Sequence, residues 1–189
     1  MPYFSKTYRG FSMWHCRMSY DFYNDIANMF DEIRDKFKIA HVEDDVLFTH
    51  AGCTSGWLKT VFTEQYVITN LDDLSFSLNN LLNTTKGLSY LYMVSRERGG
   101  DDLYGSCIWA DTDETYWDQV SKLDGEHKVH DIHNVKQVFG HTLQAFYDQE
   151  HNIVYGRPRE YFCCKMIDNG NAYILDTEKF KIEPIKKES

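Results

Sequence analysis

The chain contains Val46-Leu47-Phe48-Thr49-His50-Ala51-Gly52, a short apolar run that ends at a histidine followed by two small residues. A second stretch further along, Val135-Lys136-Gln137-Val138-Phe139-Gly140-His141-Thr142, follows the same plan. Short β-prone runs bounded by glycine or another small residue are typical of buried strands. A histidine at the tip of such a strand has a rigid support from which it can ligate a metal ion. The two stretches therefore predict buried strands that deliver His50 and His141 to one site.

The composition limits the class of protein. With 189 residues, 42% of them apolar and 15% aromatic, the chain can bury a substantial core, and we expect one domain over residues 1–189. Its apolar runs are shorter than the roughly eighteen residues that cross a bilayer, and Met1-Pro2-Tyr3-Phe4 does not resemble a secretory signal. We therefore expect a cytoplasmic protein that does not bind membranes. A net charge of −9 disfavours a nucleic-acid partner, because such partners require a basic face.

Helical spacing of apolar residues occurs in two segments. Between Tyr20 and Phe37 the apolar residues recur at steps of three and four, which predicts an amphipathic helix with one buried face. The members of that face are Phe22, Ile26, Phe30, Ile33 and Phe37. In the second segment Thr69-x-x-Asp72 resembles a capping box, and leucines keep helical spacing up to Gly87. One helix is therefore predicted from Thr69 to Gly87.

Several short β-prone runs predict strands. Two of them, Ile39–Val42 and Val46–Thr49, flank the acidic turn Glu43-Asp44-Asp45. Near the end of the chain, Tyr161–Ile167 leads into Asp168-Asn169-Gly170-Asn171, which is a strong signal for a tight β-turn. Two further strands, Ala172–Leu175 and Phe180–Ile182, would complete a hairpin or meander. This order of elements predicts an α/β or α+β domain whose sheet is covered by helices.

A glycine pair beside an arginine follows the second predicted helix. At Gly99-Gly100 backbone amides can approach a ligand closely, and the guanidinium of Arg98 can fork onto a phosphate group. Arg96 is the alternative phosphate contact. A solvated turn is the other interpretation of this segment, and composition alone favours it.

Four strings of the sequence occur in the same order as in a known family. From about residue 45 to its end the chain resembles the calcineurin-like metallophosphoesterases, and most closely the branch of phosphoprotein phosphatases and dinucleoside tetraphosphatases. The strings are Leu47-Phe48-Thr49-His50-Ala51-Gly52, Ser106-Cys107-Ile108-Trp109-Ala110-Asp111, Val138-Phe139-Gly140-His141-Thr142 and Ile167-Asp168-Asn169-Gly170. The resemblance implies the later half of an α/β sandwich, in which mixed sheets are flanked by helices.

The same resemblance implies a site and a reaction. His50 and His141 would each supply an imidazole nitrogen to a centre of two divalent ions, with manganese, iron, zinc and nickel all compatible with imidazole. Such a centre hydrolyses phosphate esters, so the implied partner is a phosphorylated substrate, either a phosphoprotein or a dinucleotide. Arg98 and Asp111 are the expected substrate contacts. Trp109 would line the cleft with Asp111, or it would pack beneath the sheet.

The family's earlier motifs do not precede His50. They are Asp-x-His, Gly-Asp-x-x-Asp-Arg-Gly and Gly-Asn-His-Asp or Gly-Asn-His-Glu, which supply the bridging aspartate and the general-acid histidine. No catalytic residue is therefore identified, and we expect the chain by itself to be inactive. Either the first half of a phosphatase is missing, or a short relative keeps the scaffold as a non-catalytic interaction module. A missing half-sheet would leave an open edge, through which we expect self-association.

Two other arrangements compete with this interpretation. His127, His130 and His133 have the His-x-x-His spacing of a zinc site, although a polar surface loop explains the same pattern. Cys53 or Cys107 could act as a nucleophile, with His50 or His141 as its base. The odd number of cysteines, five, argues against a disulfide framework.

Overall fold

The structure is a computed structural model. It describes residues 7–8, 11–12, 25, 28–29, 32–62, 70–120, 132, 135–142, 145–148, 153–156, 159–161, 164–167 and 172–185. The helices are α1 (Ser55–Val61), α2 (Leu71–Asn80), α3 (Thr85–Leu91) and α4 (Thr112–Val120). The strands are β1 (Thr7–Tyr8), β2 (Phe11–Ser12), β3 (Ala40–Glu43), β4 (Val46–Thr49), β5 (Lys136–Phe139), β6 (Ala145–Asp148), β7 (Ile153–Gly156), β8 (Arg159–Tyr161), β9 (Cys164–Met166), β10 (Tyr173–Asp176) and β11 (Lys181–Pro184). The protein is thus a mixed α/β structure.

A mixed sheet of five strands in the order β3-β4-β5-β9-β8 forms the centre of the fold. Strands β4, β5 and β9 run parallel to one another, while β3 and β8 are antiparallel edge strands. The parallel strands are short and mostly buried, as expected for strands in the interior of an α/β sheet. Their register aligns Phe48 with Val138 and Phe139 with Met166, so their carboxyl ends lie at one edge of the sheet.

The predicted acidic hairpin is confirmed, with β3 beginning one residue later than expected. Asp44 and Asp45 both have positive φ angles, of 46° and 61°. Two consecutive residues of this kind form the type I′ turn that suits the right-handed twist of a two-residue hairpin. Aspartate tolerates the left-handed region better than most residues, which explains the acidic turn.

One large apolar cluster packs helices α1, α2 and α3 against β3 and β4. Its fully buried members come from the hairpin, three helices and the loops between them: Ala40, Leu47, Cys53, Trp57, Leu58, Leu74, Leu78, Leu91, Cys107 and Ile132. Helix α2 also bonds directly to the edge strand, because Asn79 Oδ1 accepts from the backbone N–H of Ile39 and of Ala40. The Nδ2 of Asn79 donates to the Ala40 carbonyl at 2.8 Å. The side-chain amide of Asn79 therefore covers part of the outer edge of β3, which is the edge strand of the described sheet.

The second predicted helix is two helices in the structure. Helix α2 ends at Asn80, and a 3-10 turn over Leu81–Asn83 precedes a new start at Thr84, whose side chain accepts from the Gly87 N–H. Gly87 lies inside α3 and does not end a helix. A Cβ at this position would collide with the carbonyl of Leu81, so the close turn requires glycine. The cap of α2 is Asn70 instead of the predicted Thr69, with its side chain bonded to Asp73 N.

The first predicted helix, Tyr20–Phe37, is confirmed at its described residues up to position 33, but its predicted end at Phe37 is wrong. Residues 25, 28, 29, 32 and 33 are helical, and a 3-10 turn over Arg34–Lys36 follows. Phe37 lies after this turn and is 47% exposed, so the expectation that it is buried was wrong. The change from α to 3-10 winding rotates a side chain away from the stripe set by 3.6 residues per turn. Phe22, Ile26 and Phe30 fall outside the described side chains.

The hairpin or meander predicted at the end of the chain is confirmed for its last two strands, β10 and β11, and differs before them. The expected strand Tyr161–Ile167 is split into β8 and β9, which pair with each other. Because β9 lies between β5 and β8, it has no free side for β10, and β10 pairs with β11 instead. Phe180, in the turn of this hairpin, packs against Lys165 Nζ, which is 4.6 Å from its ring centroid. The tight turn at residues 168–171 lies outside the described residues.

Candidate paired-histidine site

His50 and His141 meet at the carboxyl edge of the central sheet. His50 directly follows β4, and Gly140-His141 directly follows β5. The two strands are parallel neighbours, and the Gly140 N–H donates to the His50 carbonyl at 2.9 Å, which continues their pairing past the strand ends. As a result, Nε2 of His50 lies 2.9 Å from Nδ1 of His141. One ring nitrogen must donate and the other accept, so the acceptor imidazole is neutral.

The backbone at His141 is held in an unusual conformation. Its φ angle is 69°, in the left-handed region that costs a side-chain-bearing residue about 1–2 kcal/mol. The Thr142 N–H donates to the Gly140 carbonyl at 2.9 Å and closes a tight turn around His141. The indole of Trp109 packs edge-on against the His141 ring, with the centroids 5.3 Å apart. Trp109 therefore lies beside the histidine pair, as the cleft-wall alternative requires.

The two expected substrate contacts lie in the same cluster. Arg98 Nε is 3.1 Å from Asp111 Oδ2, and both side chains are mostly buried, at 24% and 21% exposure. Arg98 Nη2 donates to Thr142 Oγ1 at 2.5 Å. All four residues predicted from the sequence for this site, His50, Arg98, Asp111 and His141, are thus brought together. Arg96, the alternative phosphate contact, is exposed on the same short turn.

The loop that carries Arg98 is closed by its own hydrogen bonds. The N–H of Gly99 donates to the Arg96 carbonyl, and the N–H of Gly100 donates to the Ser95 carbonyl. Both glycine amides are therefore used within the turn, and they do not form the predicted phosphate cradle. Gly99 has a φ angle of 79°, and a Cβ on Gly100 would collide with the Val94 carbonyl. Gly99 and Gly100 are therefore explained by the backbone conformation of the loop.

Sequence reasoning missed the role of Glu114. Asp111 Oδ1 accepts from the Asp113 N–H at 2.9 Å, while Glu114 Oε2 accepts from the Asp111 N–H at 3.4 Å. This is a capping box, and Asp-x-x-Glu at the start of α4 was its signal in the sequence. Glu114 Oε1 also accepts from the Gly105 N–H at 2.6 Å. Burial raises the pKa of Glu114, while these backbone hydrogen bonds act in the opposite direction.

The cysteine nucleophile is opposed by the structure. Cys53 and Cys107 are 1% and 0% exposed. A hydrogen bond with the Cys107 thiol, together with burial, raises the pKa of Cys53, so its reactive thiolate is disfavoured. Gln137 fixes the backbone of Cys53 instead, because its Oε1 accepts from Cys53 N at 2.9 Å and its Nε2 donates to Cys53 O at 3.2 Å. These two hydrogen bonds hold the segment that follows His50 against β5.

The histidine pair fits two ligand positions of one metal ion. Two nitrogens bound to a tetrahedral zinc, each about 2.1 Å from it, lie about 3.4 Å apart. The observed separation is 2.9 Å, so to admit an ion the two nitrogens must move about 0.5 Å apart, give up the hydrogen bond between them and turn both lone pairs toward the ion. Among the described residues, however, no group of three or more His, Cys, Asp or Glu side chains is placed to hold a metal. Two ions would need further ligands, and the described residues do not supply them.

Comparisons of this chain with models of known protein families, with curated proteins and with solved structures gave no significant match. The resemblance to calcineurin-like phosphoesterases consequently depends on the four motifs alone. The helices that the structure describes include none long and apolar enough to cross a membrane. The alternative zinc site at His127, His130 and His133 lies outside the described residues.

Proposed function

We propose that this chain carries part of a metal-dependent phosphoesterase site on the later half of a calcineurin-like α/β sandwich, with His50 and His141 as metal ligands. The observation that carries the proposal is the 2.9 Å approach of His50 Nε2 to His141 Nδ1 at the carboxyl ends of two adjacent parallel strands. Divalent ions at such a site bind phosphate oxygens and lower the pKa of a water molecule. The proposed substrate is a phosphate ester, on a protein or a dinucleotide.

The surroundings of the pair support an anionic substrate. Arg96 lies exposed on the same short turn as Arg98, whose own guanidinium is already paired with Asp111. Because the whole chain carries a net charge of −9, an anion is otherwise repelled, and local cations must offset that charge. Ligand sites of open α/β sheets also lie at the carboxyl ends of parallel strands, which is where His50 and His141 are found.

The described residues provide too few ligands for catalysis by themselves. Two neutral imidazoles do not offset the charge of a divalent ion, and ions of this kind normally take four to six donors. The carboxylate of Asp111 is already engaged by Arg98 and by the first turn of α4. This donor count favours a second candidate function, a non-catalytic interaction module that keeps the phosphoesterase scaffold.

A cobalt titration tests the ligand assignment. We expect Co²⁺ to bind the purified chain weakly, and His50→Ala or His141→Ala to lower its affinity at least tenfold. His41→Ala is the matched control, because His41 is an exposed histidine on β3 next to Glu43. Equal Co²⁺ affinity in all four proteins would reject the assignment.

Hydrolysis of a chromogenic phosphate ester in the presence of Mn²⁺ separates the two candidate functions. Turnover that disappears in both site variants and persists in His41→Ala supports the phosphoesterase. Metal binding at the pair without turnover, in a protein that also contains the missing family motifs, supports the non-catalytic module.

A further inference from the structure

One guanidinium links three separate segments around the histidine pair. Arg98 comes from the short turn after α3, Asp111 directly precedes α4, and Thr142 follows His141 after β5. The Nε of Arg98 contacts Asp111, and its Nη2 contacts Thr142. The planar fork of arginine suits this arrangement, because it presents several donors in a fixed geometry.

We propose that Arg98 is a positioning residue that holds His141 against His50, in place of the phosphate contact that the sequence predicts. This role rests on the proposed function only in so far as the histidine pair is taken to bind a metal ion. A phosphate group could reach the engaged face of the guanidinium only by displacing both Asp111 and Thr142. Neither partner is loosely held, since Asp111 also caps α4 and Thr142 closes the turn at His141.

The strained turn explains why such a contact is needed. A left-handed residue that is not glycine persists only where its surroundings fix it. At His141 these surroundings are the Gly140–Thr142 hydrogen bond, the Trp109 ring and the bond from Arg98 to the neighbouring Thr142 side chain. Trp109 and Asp111 belong to one segment, and the Trp109 ring of this segment packs on His141. By contacting both Asp111 and Thr142, Arg98 connects this segment to the turn that contains His141.

Charge gives Arg98 a fixed orientation. Its side chain is only 24% exposed, and a largely buried cation needs a paired anion and good hydrogen bonds. Asp111 supplies the anion, while its own orientation is set by the Asp113 N–H. The rigid start of α4 is thereby connected through Arg98 to the histidine pair.

The test compares Arg98→Ala, Arg98→Lys and Thr142→Val with the exposed control Arg96→Ala. Nitrogen-15 NMR of the two imidazoles reports the hydrogen bond between positions 50 and 141 and requires no metal. We expect Arg98→Ala and Thr142→Val to shift these signals, Arg98→Lys to shift them less, and Arg96→Ala to leave them unchanged. We also expect Co²⁺ affinity to fall about 10- to 100-fold in Arg98→Ala, the range found when an outer partner of a ligand is removed.

Imidazole signals that stay unchanged in both Arg98→Ala and Thr142→Val would overturn the proposal. If Arg98→Ala fails to fold, the nearly isosteric Thr142→Val decides, because it removes the hydroxyl to which Arg98 donates and keeps the side-chain volume. Melting temperatures separate a general loss of stability from a local effect on the pair. Should the wild-type chain bind no Co²⁺, the proposed function fails, yet the imidazole signals still decide the role of Arg98.

Discussion

Gln137→Met tests the support beneath the histidine site. Gln137 lies on β5 and is fully buried, and its amide pairs with both the N–H and the carbonyl of Cys53. Cys53 comes three residues after His50, so this amide ties the segment that leaves β4 to the neighbouring strand. Methionine has a similar size and flexibility, and the substitution therefore removes the hydrogen bonds without creating a large cavity.

The expected loss of stability follows from the two backbone groups that the substitution leaves buried and unpaired. Each such group costs about 1–3 kcal/mol, so the free energy of unfolding should fall by about 2–6 kcal/mol. Against a typical total of about 5–15 kcal/mol, this is a large effect. With a slope near 2 kcal/mol per molar urea, the unfolding midpoint should fall by about 1–3 M.

Urea unfolding followed by circular dichroism measures this change directly. Asn83→Ala is the control, because it removes an exposed amide and should change stability by less than about 0.5 kcal/mol. The imidazole nitrogen signals of His50 and His141 should shift in Gln137→Met and remain unchanged in Asn83→Ala. A midpoint equal to that of the wild type, at an unchanged slope, would refute the role assigned to the amide.

Three further changes have expected outcomes. Asn79→Ala should lower the free energy of unfolding by about 2–4 kcal/mol and increase self-association in sedimentation experiments, because the N–H groups of Ile39 and Ala40 lose their partner, while the Ala40 carbonyl keeps the Ser75 hydroxyl. Glu114→Gln should lower the melting temperature, because its amide NH2 cannot accept from the Gly105 or Asp111 N–H, and it should also reduce the pH dependence: the raised pKa of Glu114 means that wild-type stability falls as pH rises from the ordinary glutamate pKa through the folded value. Cys53 and Cys107 should resist alkylation in the folded protein and react in urea, as measured by peptide mass spectrometry.

Three results would contradict these predictions. An Asn79→Ala protein that remains monomeric would show that the edge needs no cover. A melting temperature of Glu114→Gln that follows the wild type at every pH would remove Glu114 as the source of the pH dependence. Rapid alkylation of Cys53 in the folded state would restore the nucleophile alternative.

Local patterns in the sequence predicted the parts of the fold that local chemistry controls. The β3–β4 hairpin follows from two consecutive aspartates in a type I′ turn, and His50 and His141 follow directly from the ends of apolar runs. What the sequence could not reveal is which strands are neighbours. The apolar run that contains β9 looks like a hairpin partner for the next strand, and only the sheet order shows that both its sides are occupied.

Within the site, the pairing of Arg98 with Asp111 could not be predicted from the sequence for the same reason. Sequence patterns selected Arg98 as a phosphate contact and Asp111 as a substrate-binding residue in the cleft wall, because each lies near a motif that suggests phosphate chemistry. In the fold the two charges neutralise each other, and one oxygen of Asp111 also caps α4. A cation that already has a buried anion is a weaker receptor for a second one, since the incoming group must replace a bond as well as make one. A phosphate at this site would therefore depend chiefly on the proposed metal ion at the histidine pair.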